Sequence, residues 1–133
     1  MPFSLDSYLG IHPDALKLQS KRTEVIADNL ANSDTPGYKA RDIDFKAAMA
    51  SAGSPDAPVK MTTDKPGHIA IDPNTDASAN LKYRTPLAPA LDGNTVDAQQ
   101  EQSAFADNTV RYQATLTFLS ARFKGLMTAI TGQ

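Results

Sequence analysis

The strongest constraint on the fold lies in the last third of the chain. Tyr112, Leu116, Leu119, Phe123, Leu126 and Ile130 recur at spacings of 4, 3, 4, 3 and 4, and the series runs back through Thr109 to Phe105. A repeat averaging about 3.5 residues marks a helix whose apolar seam packs on another helix. Asp97 stands where its side chain can cap the first turn, Gln100 three residues on completes a capping-box pattern, and Gly132 supplies a stop. A helix over 98–131 is about 50 Å long at 1.5 Å per residue, more than one small domain covers.

A second helix is written near the other end. Pro13 suits a first-turn position, where its missing N–H costs nothing, and Ala15, Leu18, Arg22, Val25 and Asn29 follow at 3–4 spacing, with Leu16, Ile26 and Leu30 widening the stripe. Arg22 and Asn29 on this seam are either defects or polar residues that fix register. Phe3, Leu5, Tyr8, Leu9 and Ile11 form a short apolar segment of one or two turns, broken near Gly10. Asn32 to Gly37 reads as a stop and turn: Thr35 before Pro36 is pushed to extended geometry, and Gly37 fits the positive-φ position of a type II turn. Asp44 is placed to cap a short helix over 45–50.

Between these helices the chain changes character. Six of the nine prolines (Pro55, Pro58, Pro66, Pro73, Pro86, Pro89) fall between Ser51 and Leu91. Interior prolines cost a helix about 3 kcal/mol each, so this stretch is loop with short strands, the candidates being 59–62, 68–71 and 81–85. The expected fold is mainly α: paired N- and C-terminal helices form a coiled-coil-like core around a loop-rich middle. Its parts are an N-terminal helical segment (1–32), a turn and short helix (33–50), a Pro-rich middle (51–94) and a long C-terminal helix (95–133). The C-terminal helix is longer by roughly ten residues, so beyond its pairing with the first helix its stripe needs another partner.

Composition removes most chemistries. The 133 residues contain no cysteine and two histidines, His12 and His68, too few for a typical zinc site. Thirteen basic against fifteen acidic side chains give a net charge of −2 with no basic block, which argues against nucleic acid as a partner. The opening Met1-Pro2-Phe3-Ser4-Leu5-Asp6 lacks the basic and apolar regions of a cleaved secretory signal. Asp42 and Asp44 read as solvated turn carboxylates, and Asp92-Gly93-Asn94 as a turn rather than a calcium loop. Phosphate-binding and nucleophile-elbow strings are absent from the sequence. No catalytic, cofactor-binding or metal-ligating residue is assigned, and no small-molecule substrate is expected.

Ala27 to Phe45, ADNLANSDTPGYKARDIDF, resembles the N-terminal signature of bacterial flagellar axial proteins, the family of rod, hook and related subunits. Leu91 to Asp97, followed by Glu101, Phe105 to Asn108 and Tyr112, is similar to the lead into the C-terminal helix of its proximal rod members, as are Asp42 to Phe45 and the run from Thr62 to Ile69. The resemblance implies a structural subunit that assembles helically into the drive shaft, with terminal helices lining an export channel. It also implies export through the flagellar type III apparatus without cleavage, and residence in the periplasmic part of the basal body. The implied partners are copies of itself, other rod subunits, the adaptor that joins rod to membrane ring, and the ring. Subunit contacts are expected at Leu18, Val25, Leu30, Asn32, Thr35, Pro36, Gly37, Tyr38 and Phe45, and along Phe105, Tyr112, Leu116, Leu119, Phe123, Leu126 and Ile130. Two alternatives stay open: the second proximal rod protein of the family, or a soluble coiled-coil adaptor or export chaperone.

Overall fold

The computed structural model describes residues 5–52, 65, 81–86, 88 and 90–132. Helix α4, Ala98–Thr131, has the predicted bounds: the extended Asp97 accepts from the N–H groups of Gln99 and Gln100, and Gly132 closes the helix at φ 73° with its N–H on the Thr128 carbonyl. Helix α2, His12–Ala31, starts with Pro13 in its first turn and no side-chain cap. Gly10, at φ 61°, separates it from α1, Leu5–Leu9. A side chain rarely adopts that angle, so the break between the two helices is specified by the glycine.

α2 runs antiparallel along α4, and this pairing is the most extensive contact in the molecule. Its register is visible in side-chain bonds: Asn29 meets Glu101, Gln19 meets Asn108 and Thr115, and Tyr8 of α1 meets Arg122. α1 therefore carries the N-terminal arm onward along α4 and touches it through Tyr8 at Arg122 and Gly125. Strand β1, Arg41–Ile43, pairs antiparallel with β2, Leu81–Tyr83, in the register Arg41 to Tyr83 and Ile43 to Leu81. Helix α3, Phe45–Ala52, runs two residues past its expected end, with Asp44 accepting from the Ala47 N–H as its cap. β1 was not expected as a strand. Three residues carry no readable alternation, and it is the pairing with β2 that makes them one. The strands expected at 59–62 and 68–71 lie outside the described residues, as does His68.

Among the described residues the apolar core is small. Val25, Ile43 and Ala48 form its centre, with Leu18 and Leu81 packed against them, and three of the seven buried apolar residues described are alanines. Gln19, Asn29, Asn94, Glu101 and Asn108 are buried with them.

The C-terminal seam requires a correction. It was expected to cover the N-terminal helix with its apolar stripe, but the α4 residues that turn inward are Glu101, Ala104, Asn108, Thr115, Leu119 and Leu126. That face lies roughly 50° around the helix from the apolar stripe, taking 3.6 residues per turn. Only Leu119 and Leu126 belong to both. Phe105, Tyr112, Leu116, Phe123 and Ile130 stay exposed, from 36% at Tyr112 to 83% at Ile130. The reason is the opposing surface: α2 presents Gln19, Thr23 and Asn29, whose buried polar groups must be matched by polar groups on α4.

Candidate subunit interface

The end of the molecule where α2 stops and α4 starts is held by polar contacts. Asn29, fully buried, donates to the Arg41 carbonyl (2.7 Å) and to Glu101 (3.2 Å), and accepts from the Arg41 N–H (3.1 Å). Glu101, 1% exposed, accepts from Arg84 at 2.6 Å. Arg84 also reaches Asp42 (2.7 Å), and Arg22 grips the same carboxylate with two bonds of 2.9 Å. Two helices, β1 and the residue that follows β2 are thus tied by one network. Asn29 thus fixes the register of the helix pair through Glu101, while Arg22 ties α2 to β1 through Asp42.

Asp42 is consequently not a solvated turn carboxylate, and Asp44 is only partly one, since it caps α3 and pairs with Lys82 at 2.6 Å. Sequence reasoning missed the Asp42 site because its partners lie 20 and 42 residues away. Burial pushes the Asp42 carboxyl up, but the hydrogen bonds from Arg22 and Arg84 outweigh it and hold the group below the ordinary aspartate value. A group depressed in the folded state gives stability that is whole above its unfolded pKa, near 3.9, and is lost as pH falls from there through the lower folded value. Comparing acid unfolding of the parent with Asp42→Asn is therefore expected to show a stability gap at neutral pH that closes below about pH 4. A gap constant with pH would mean that the carboxylate charge is idle.

The two sequence strings behind the family resemblance meet in space. Asn94, 6% exposed, sits under the 32–37 turn and donates to the carbonyls of Asn32, Ser33 and Thr35 at 3.0, 2.7 and 3.1 Å. The Gly37 N–H donates to the Asp92 carbonyl (2.9 Å), the Thr95 N–H to that of Tyr38 (3.0 Å), and Lys39 to that of Gly93 (2.6 Å). Gly37 has the positive φ, 75°, that the type II reading required. The string order reflects one interlocked pair of turns. Its outer rim of Asp34, Thr35, Pro36 and Gly37 is exposed. Tyr38, expected at a subunit contact, is half-buried with its hydroxyl toward Asn29 (3.5 Å).

The residues expected at subunit contacts divide accordingly. Val25 is buried in the chain's own core and Leu18, half-buried, packs against it. Leu30, Asn32 and Phe45 are half-buried within the chain. The exposed remainder is the α4 stripe and the turn rim. Off the stripe, Phe118 is 59% exposed and has its ring 6.1 Å from that of His12.

An elongated helix pair with a small, heavily polar core and a long uncovered apolar stripe is an assembly subunit. Residues 9–39 match the family model described as "Flagella basal body rod protein". Over full length the chain is 44% identical to the flagellar basal body rod protein FlgB of Aeromonas hydrophila, covering 100% of this chain and 99% of that one. It is 44% identical to FlgB of Escherichia coli K12, with 95% and 94% covered, and 45% identical to FlgB of Cereibacter sphaeroides, with 94% of each covered. The chain belongs to the FlgB family of flagellar basal body rod proteins, a structural and not a catalytic family.

Proposed function

We propose that the chain is a subunit of the proximal rod, joining its neighbours through the α4 stripe as part of the shaft that transmits torque and encloses the export channel. The observation that carries this reading is the exposure of Phe105, Tyr112, Leu116, Phe123 and Ile130 after α1 and α2 have taken their own face of α4. A helix with two packing faces set at an angle has partners on both sides, and repeated around an axis such helices close into a tube. The helical segments within 1–32 and 95–133 supply the inner helices and 33–50 the turn region that braces them. Close-packed helices deform little, which is what a drive shaft needs.

The family relationship supports the rest of the reading: copies of the chain, other rod subunits, the adaptor to the membrane ring and the ring as neighbours, export in an unfolded state through the type III apparatus without cleavage, and a periplasmic position. A small core suits that route, because the isolated chain has little packing to lose when it is threaded. The test is complementation. In a flagellated host lacking its own FlgB, the chain is expected to restore swimming and to co-purify with isolated basal bodies. Its absence from basal bodies in swimming cells would refute the proposal.

A further inference from the structure

Four carboxamides are buried among the described residues, and they fall into two classes. Asn29 and Asn94 use both ends. The Asn29 oxygen accepts from the Arg41 N–H while its Nδ2 donates to the Arg41 carbonyl and Glu101. The Asn94 oxygen accepts from the Val96 N–H (2.8 Å) while its Nδ2 serves three carbonyls of the 32–37 turn. Gln19 and Asn108, 5% and 2% exposed between α2 and α4, use only their nitrogens. Gln19 Nε2 donates to the Thr115 hydroxyl (3.2 Å), and Asn108 Nδ2 to the Gln19 carbonyl (2.8 Å) and the Thr23 hydroxyl (2.9 Å), but the side-chain oxygen of each has no hydrogen-bond partner. Turning the Asn108 amide over would set its oxygen against the Gln19 carbonyl, so the backbone itself fixes the mismatch.

Both oxygens are shut off from the surface, so in the folded subunit neither water nor a neighbouring chain reaches them. Folding strips their hydration and returns nothing; opening the helix pair restores it. The surroundings do not require the two amides. Without them the Thr23 hydroxyl still donates to the Gln19 carbonyl (3.1 Å) and the Thr115 hydroxyl to the Arg111 carbonyl (2.9 Å), so apolar side chains of similar shape at 19 and 108 leave no new orphaned group. Their place matters as well. Gln19 meets Asn108 and Thr115 midway between the Asn29 to Glu101 contact at one end of the helix pair and the Tyr8 to Arg122 contact at the other.

Resting on the export part of the proposed function, we infer that the Gln19 and Asn108 pair is a release point built into the α2–α4 seam, which sets how readily the folded subunit opens for export. The two ends of the seam hold it through satisfied bonds, whereas the middle regains two hydrated oxygens as soon as the helices part. Local opening therefore starts at the place where the native state loses most by staying closed.

The test pairs a stability measurement with an export measurement on the full chain. Gln19→Met with Asn108→Leu is expected to raise the thermal unfolding midpoint by about 5 °C or more and to slow unfolding in urea about tenfold. In a flagellated host lacking its own FlgB, the same variant is expected to cross the inner membrane severalfold more slowly after induction. Gln19→Met alone, which keeps the side chain's shape, is expected to give part of each effect and guards against crowding at 108. Gly125→Ala is the control: it replaces a helix-interior glycine towards the far end of α4, where the added Cβ meets the Tyr8 hydroxyl at an ordinary 3.5 Å, and it is expected to stabilise the fold without slowing export. Unchanged or lowered midpoints in both seam variants would show that the pair is no net cost, and stabilised variants that cross as fast as the parent would show that it does not govern release. Either result overturns the inference and leaves the export reading standing, as does a Gly125→Ala chain slowed just as much, since stability anywhere would then suffice. A parent chain that never crosses overturns the export reading and the inference with it.

Discussion

Leu116→Asp is expected to leave the isolated chain folded and to abolish swimming in the complementation assay. Leu116 is 43% exposed on the free face of α4, so in the single chain the new carboxylate meets water. The local cost is then the helix-propensity difference, under about 0.7 kcal/mol. In the proposed assembly a neighbour is to cover the same position, where a charge buried without a partner costs several kcal/mol at every subunit. Leu119→Asp separates the two faces: Leu119 is half-buried against α2 and also lies on the stripe, so that variant is expected to lose monomer stability as well. Thermal unfolding by circular dichroism reads the first effect and swimming the second. Normal motility of Leu116→Asp would show that the exposed stripe is not an assembly face.

Glu101→Ala is expected to have the largest effect on the isolated chain, a loss of about 3–5 kcal/mol, the range for removing one member of a buried ion pair. It strips the 2.6 Å partner from Arg84 and the 3.2 Å acceptor from Asn29, and leaves both groups where water reaches them poorly. Small domains have about 5–15 kcal/mol in all, and a core this small stands at the low end. A sharply lower urea midpoint is the expected reading. Glu101→Gln, which keeps an acceptor for one neighbour without the charge, is expected to fall between the two. An unchanged midpoint for Glu101→Ala would mean that the network contributes nothing net, as happens when desolvation cancels the attraction.

Much of the fold was legible because the relevant physics is local. Asp97, Gly132, Pro13 and Gly10 mark helix ends through their own backbone and side-chain chemistry, and the helices start and stop beside them. The turn glycine at 37 was legible for the same reason. The candidate interface was legible only in part. The apolar stripe of α4 was readable as a stripe, yet which neighbour covers it was not, and neither was the packing of Val25 and Leu18 within the chain, Val25 in its core and Leu18 half-buried against it. Asp42 looked solvated because its two arginine partners are remote in sequence.

The sequence by itself determined where helices run, where they end and that the chain carries more apolar helix surface than it can cover alone. Periodicity and capping are properties of a few consecutive residues, so they survive without tertiary knowledge. Only the tertiary structure decided the phase of α4. Asn29, Gln19 and Asn108 bond across sequence separations of 72, 96 and 89 residues, and these polar matches turn α4 so that its apolar stripe lies to one side of the face it packs on α2, sharing only Leu119 and Leu126 with it. Buried polar groups demand specific partners whereas apolar surface accepts any, so inside the chain the polar seam sets the geometry and the stripe is left for neighbouring subunits.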